Sequence, residues 1–146
     1  MAKRKAQYRP SFTSIDLIIE EKRISESEII AFSDIDYPLF SFKWLQDYSI
    51  DKCKDHKFFH DYLMRLQKLS LLGWKEIRKS SRHNFGMEKI PVSQINPELP
   101  SNFTRDVEEL DVFRAVGDNR PMLGIQEGKI FHVIFIESKF GDVYNH

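Results

Sequence analysis

From Leu110 to Ile136 the chain runs LDVFRAV, PMLGIQ and IFHVIFI, three apolar segments parted by short turn-forming stretches. Gly117-Asp118-Asn119 separates the first two, and Glu127-Gly128 is a two-residue turn before the third. Such spacing predicts three strands, at 110–116, 121–126 and 130–136, folded into an antiparallel meander. A meander exposes an apolar face that another layer must cover, so the rest of the chain has to supply that layer.

Residues 55–70, DHKFFHDYLMRLQKLS, are the clearest helix. Phe59, Leu63 and Leu66 fall on one stripe, and Phe58, Tyr62, Leu66 and Leu69 extend it at helical spacing. Gly73 interrupts, and WKEIRKSS at 74–81 reads as a second, shorter helix with Trp74 and Ile77 inward. Two helices joined by a tight turn form an αα-hairpin. YPLFSFKWL predicts a strand at 39–45, since Pro38 can begin but not centre one. EKIPVSQI is an edge-strand candidate because of Pro91, and NPELPSNFTRD is a loop. Nearer the start, SFTSIDLII suggests a strand, and Ser25 followed by Glu28 has capping-box spacing for a helix over 25–33. The expectation is one α+β domain over 1–146. It has an N-terminal extension at 1–38 and a core at 39–146 in which an αα-hairpin packs on one face of an antiparallel sheet. The other face is expected to be open for a site.

Composition narrows the class. The chain has 146 residues, 41% hydrophobic and 30% charged, which suits one globular domain. The basic opening MAKRKAQYRP is not followed by an apolar run, so no secretory signal is expected. No stretch approaches the roughly 20 apolar residues of a membrane span. Cys53 is the single cysteine, which rules out an internal disulfide and a zinc site built from several cysteines. A reducing cytoplasm is the expected location, with no membrane association. His56 and His60 are four apart on the first helix, but the stretch reads HKFFH and lacks the HExxH glutamate, so no metal and no cofactor is expected.

The net charge of zero conceals an uneven distribution. Residues 51–91 carry ten Lys/Arg against five Asp/Glu, and residues 92–146 carry five against nine. The basic middle offers Lys75, Arg78, Lys79, Arg82, His83 and Lys89 as a phosphate-binding footprint; its plainer reading is a solvated, lysine-rich helix face. In the closing segment Arg114 and Arg120 stand among apolar neighbours, and Tyr144 and His146 are two apart, on one face if the tail is extended. Arginine meets phosphate oxygens with a planar fork, and histidine titrates near neutrality. Against this, His132 alternates with Ile130, Ile134 and Ile136 and reads as a core or hydrogen-bonded histidine. Arg114 could be a solvent-side strand residue, Tyr144 a packing residue and His146 a frayed end.

The strand VFRAV, the GDNR turn, the apolar hairpin and the terminal VY resemble the RelE/ParE superfamily of bacterial toxins, loosely over 39–146 and more closely over 110–146. That resemblance implies an αα-hairpin followed by an antiparallel sheet. It also implies one of two activities: messenger-RNA cleavage on the ribosome, or gyrase inhibition without cleavage. On it, Arg114 and Arg120 would hold and stabilise the scissile phosphate, and Tyr144 and His146 would be the C-terminal aromatic and histidine. Glu88 and Lys89 would correspond to an acid/base carboxylate and a phosphate-binding lysine. RNA or the ribosome and a cognate antitoxin are the implied partners. The chain departs from the family in its residues 1–38, its loop at 96–109 and its zero net charge. The expected function is metal-independent endoribonuclease activity of the toxin type; the alternative is a non-catalytic protein- or nucleic-acid-binding module on the same scaffold.

Overall fold

The computed structural model describes residues 35–51, 54–100 and 106–144. The strand and helix expected within 11–33 therefore lie outside the described residues, as does His146. Chain contacts divide the molecule between Ile35 and Asp36, and the sheet and its helices belong to the unit Asp36–His146.

Five strands form one sheet in the order β1-β5-β4-β3-β2. They are β1 (Leu39–Ser41), β2 (Glu88–Pro91), β3 (Glu109–Arg114), β4 (Pro121–Glu127) and β5 (Ile130–Ile136). Three α-helices, α1 (Asp47–Asp51), α2 (His56–Ser70) and α3 (Trp74–Lys79), occupy the stretch between β1 and β2. The pairs β2–β3, β3–β4 and β4–β5 are antiparallel, but β1 pairs with β5 in parallel. The sheet is thus mixed rather than antiparallel. The intervening helices return the chain to the sheet's β2 edge, so β1 reaches β5 without a hairpin. β1 also stops at Ser41 rather than running to 45, because the chain turns and Leu45 N–H bonds the Phe42 carbonyl.

α2 begins where Asp55 caps it, its carboxylate accepting from the Lys57 and Phe58 amides. It buries Phe58, Tyr62, Leu66 and Leu69. Leu63, expected inward with Phe59 and Leu66, is 66% exposed, since only one arc of the helix can meet the flat face of a sheet. α3 ends at Lys79, two residues earlier than expected, and buries Trp74 and Ile77. These side chains pack on Phe113, Met122, Phe131 and Val133, with Phe113 and Phe131 edge to face at 5.0 Å between centroids.

The opposite face is not open. Val112, Leu123, Ile134 and Phe135 are covered there by Trp44 and Tyr48 before and within α1, by Val92 and Ile95, and by Val143 of the C-terminal tail. Alternation along β5 fails at its centre. Gly124 lies opposite Val133 and Leu123 opposite Phe135, so Ile134 is an extra residue, and its carbonyl accepts from Gln46 N–H. The bulge reverses the faces beyond it. His132 and Ile136, expected on one face, therefore diverge: Ile136 joins the helix-side core. His132 is 8% exposed, with Nε2 2.9 Å from Glu127 Oε1. The β4–β5 turn is Gly128-Lys129 rather than Glu127-Gly128, with Gly128 at φ 61°. Among the described residues no helix is long and apolar enough to cross a membrane.

Candidate phosphate-binding cleft

A cleft of about 560 Å³ opens beside the β2 edge of the sheet. It is lined by Glu88, Lys89, Ile90 and Pro91 of β2, by Val112, Phe113 and Arg114 of β3, and by Arg82 and His83 of the loop after α3. Asn119 of the β3–β4 turn, Pro121, Gln94, and Phe140 and Tyr144 of the tail also line it.

The loop after α3 is fixed from several sides, which places His83. Ser80 Oγ accepts from Phe85 N–H at 3.1 Å, Gly86 N–H bonds the Ser81 carbonyl at 2.9 Å, and Arg65 of α2 donates to the Asn84 carbonyl. Gly86 belongs there because a Cβ would overlap the Ser80 carbonyl. The loop brings His83 Nδ1 to 2.9 Å from Arg114 Nη2, and the same Nη2 donates to Asn119 Oδ1 at 2.8 Å. An arginine nitrogen can only donate, so Nδ1 accepts and the ring proton sits on Nε2. Both contacts use one terminal nitrogen. They orient the guanidinium and leave its Nη1 and Nε hydrogens for a ligand. Among the described residues no carboxylate lies within ion-pair distance of Arg114, although Asp118, paired with Arg120, is lowered in part by the Arg114 charge. That charge is also felt at Arg65, which is held below the ordinary arginine value, by burial first and by Arg114 second.

The other cations are partnered. Arg82 Nη1 is 2.9 Å from Glu88 Oε1, and Lys89 Nζ is 2.6 Å from Asp111 Oδ1. Tyr144 is half-buried, and its phenol is held above the ordinary tyrosine value, by burial first and then by Glu88 and Glu137, against the opposing pull of Arg82. At neutral pH it is therefore a hydrogen-bond donor.

Of the residues singled out in the sequence, Arg114, Tyr144, Arg82, His83, Lys89 and Glu88 meet in this cleft. Lys75, Arg78 and Lys79 lie exposed on α3 and do not line it. Arg120 does not line the cleft. Its Nε and Nη2 engage Asp118 at 3.0–3.2 Å and its Nη1 donates to the Ser138 carbonyl at 3.0 Å. Its guanidinium lies over the Phe58 ring, 4.7 Å from the centroid. Asn119 and Phe140 were missed. Asn119 could have been found from the GDNR turn, whereas nothing in the local sequence points Phe140 to the cleft. Among the described residues no group of three His, Cys, Asp or Glu side chains is placed to hold a metal ion. No protein-family model matches the chain, and neither the curated proteins nor the solved structures compared with it include a significant match.

Proposed function

We propose that this cleft binds and cleaves a phosphodiester of RNA, and that the protein is a toxin-like endoribonuclease of the RelE/ParE type. The observation that carries the reading is Arg114, oriented by His83 and Asn119 and without a carboxylate partner among the described residues, in one cleft with Glu88 and Tyr144. In support, a strand, the helix pair α2–α3 and an antiparallel meander follow one another in the resembled order, with that pair packed on one face and Tyr48 of α1 on the other. A ribosome-bound messenger RNA as substrate, a cognate antitoxin and a cytoplasmic setting belong to the same proposal.

The chemistry needs a base, an acid and charge stabilisation. The Glu88 carboxylate takes the 2′-hydroxyl proton as the 2′-oxygen attacks phosphorus. The bond from phosphorus to the 5′-oxygen breaks, and the Tyr144 hydroxyl protonates the leaving oxygen. A 2′,3′-cyclic phosphate and a 5′-hydroxyl result. Arg114, through Nη1 and Nε, stabilises the charge that grows on the phosphoryl oxygens, and His83 Nε2–H adds a neutral donor. Purified protein should leave cyclic-phosphate ends on a labelled RNA, and Arg114→Ala should slow this by about 100- to 1000-fold without changing the melting temperature. If the wild type neither cuts RNA, with or without ribosomes, nor arrests growth on expression, the reading is wrong.

A second reading, a non-catalytic binding module, draws on the pairing of Arg82 with Glu88 and of Lys89 with Asp111. Those carboxylates bring the cleft nearer neutrality and suit a polar partner as well as a phosphate. RNA that binds in an Arg114-dependent manner and is never cut would favour it.

A further inference from the structure

The wall of the cleft formed by Phe140 and Tyr144 belongs to a tail with no helix or strand of its own, yet the tail is tied along its length. At its start the Ser138 carbonyl accepts from Arg120 Nη1. In its middle Asn96 Nδ2 donates to the Gly141 and Asp142 carbonyls at 3.3 and 3.4 Å, and Asn96 N–H donates to the Val143 carbonyl at 2.6 Å. At its end Glu137 Oε2 accepts Val143 N–H at 2.8 Å and Tyr144 N–H at 3.3 Å.

Glu137 stands apart among these ties. It is 0% exposed, whereas Asn96 is open to solvent. A carboxylate is a costly group to bury, and it is tolerated where hydrogen bonds to its charged form compensate. Here its oxygen grips both N–H groups of the residue pair that carries the phenol into the cleft. Val143 is 0% exposed in the core opposite the helix pair, and Tyr144 beside it packs half-buried against the same core while it lines the cleft. We infer that Glu137 is the positioning residue of the cleft: its buried carboxylate fixes the backbone at Val143 and Tyr144 and so holds the Tyr144 hydroxyl in the same cleft as Arg114. The inference rests on the reading of that cleft as the site of RNA cleavage. Glu137 touches no substrate and acts only through Tyr144.

The test compares Glu137→Gln, Glu137→Leu, Tyr144→Ala and the double variant Glu137→Leu/Tyr144→Ala in full-length protein. Cleavage of a labelled RNA is measured as kcat and KM per folded molecule. Glu137→Gln keeps an acceptor oxygen and should retain kcat within about threefold. Glu137→Leu should lose kcat as far as Tyr144→Ala does, by about 100-fold for the loss of a proton donor, with KM within about twofold because Arg114 remains. The double variant should fall no further. Independent, multiplicative losses, or a Leu variant with unchanged kcat per folded molecule, would overturn the inference. Should the Leu variant not fold, amide exchange in the wild type decides: Val143 and Tyr144 should be protected, and exchange at free-chain rates overturns the inference. Cleavage insensitive to Arg114→Ala sinks the cleft reading and the role of Glu137 with it, whereas cleavage that needs Arg114 but tolerates Glu137→Leu sinks only the latter.

Discussion

Arg114 and Arg120 are six residues apart and chemically identical, and their surroundings assign them different work. Arg120 spends its donors on Asp118 and the Ser138 carbonyl and lies over Phe58. Partial burial raises the Asp118 carboxyl, but the Arg120 guanidinium and amide, with the charge of Arg114 added, together hold it below the ordinary carboxylate range. Arg120→Ala should therefore destabilise the fold by roughly 1–2 kcal/mol, for lost charge-assisted bonds at a partly exposed site. Activity should fall only in proportion to folded protein. Thermal melts set beside rates per folded molecule check this, and loss of rate at full stability would return Arg120 to the site. Sequence could name both arginines as phosphate ligands but could not separate them. The choice depends on Asp118, two positions away, curling back, and on Ser138, which only the β4–β5 hairpin brings near.

At the scale of elements, local pattern and tertiary packing divide the credit. The helix was legible from its 3.6-residue period over 55–70, but Asp55, taken there as its first residue, is instead its N-cap. Asp55→Ala should cost about 1 kcal/mol, as N-cap losses do, read as a shift in denaturant midpoint with an unchanged slope. The stripe containing Phe58, Tyr62, Leu66 and Leu69 was legible too. That Leu63 lies outside was not, because helical period marks an arc and the sheet decides its centre. The bulge at Ile134 was not read, because alternation along β5 gives no sign of the extra residue; the one local hint was Gly124 on the paired strand. The bulge leans on Gly124, where an added Cβ would overlap the His132 carbonyl and crowd Phe131. Gly124→Ala should therefore force the β4–β5 ladder apart locally, at a cost of about 1–3 kcal/mol. A melting temperature equal to the wild type would show that the strands re-register freely.

For the molecule as a whole, stability should respond to pH, and on the proposed function RNA affinity should respond to salt. Tyr62 and Tyr48 are pushed well above the ordinary tyrosine value, Tyr62 by burial and Tyr48 by burial first and then by Asp142. Above pH of about 10 the unfolded chain loses these phenolic protons while the folded chain keeps them. Stability is then fully present below that pH and falls as pH rises beyond it, by about 1.4 kcal/mol per pH unit for the buried Tyr62 alone. Urea titrations between pH 8 and about 11 check the sign, and Tyr62→Phe should flatten the fall. RNA affinity should weaken with salt, with a log–log slope of about −0.7 per phosphate neutralised on a single strand. Arg78→Ala/Lys79→Ala should make that slope shallower if the α3 cations extend the footprint; an unchanged slope confines the footprint to the cleft.

The sequence by itself determined the meander, the helix pair before it, the edge character of β2 and the residue types able to meet a phosphate. Each depends on neighbours a few positions apart, whose spacing sets which side chains share a face. Tertiary structure alone decided the parallel β1–β5 pairing, the closing of the second sheet face and the division of labour between the two arginines. It also turned Glu137, one carboxylate among many in the sequence, into a buried clasp on Tyr144. These are contacts between distant segments, and their geometry exists only once the layers have packed.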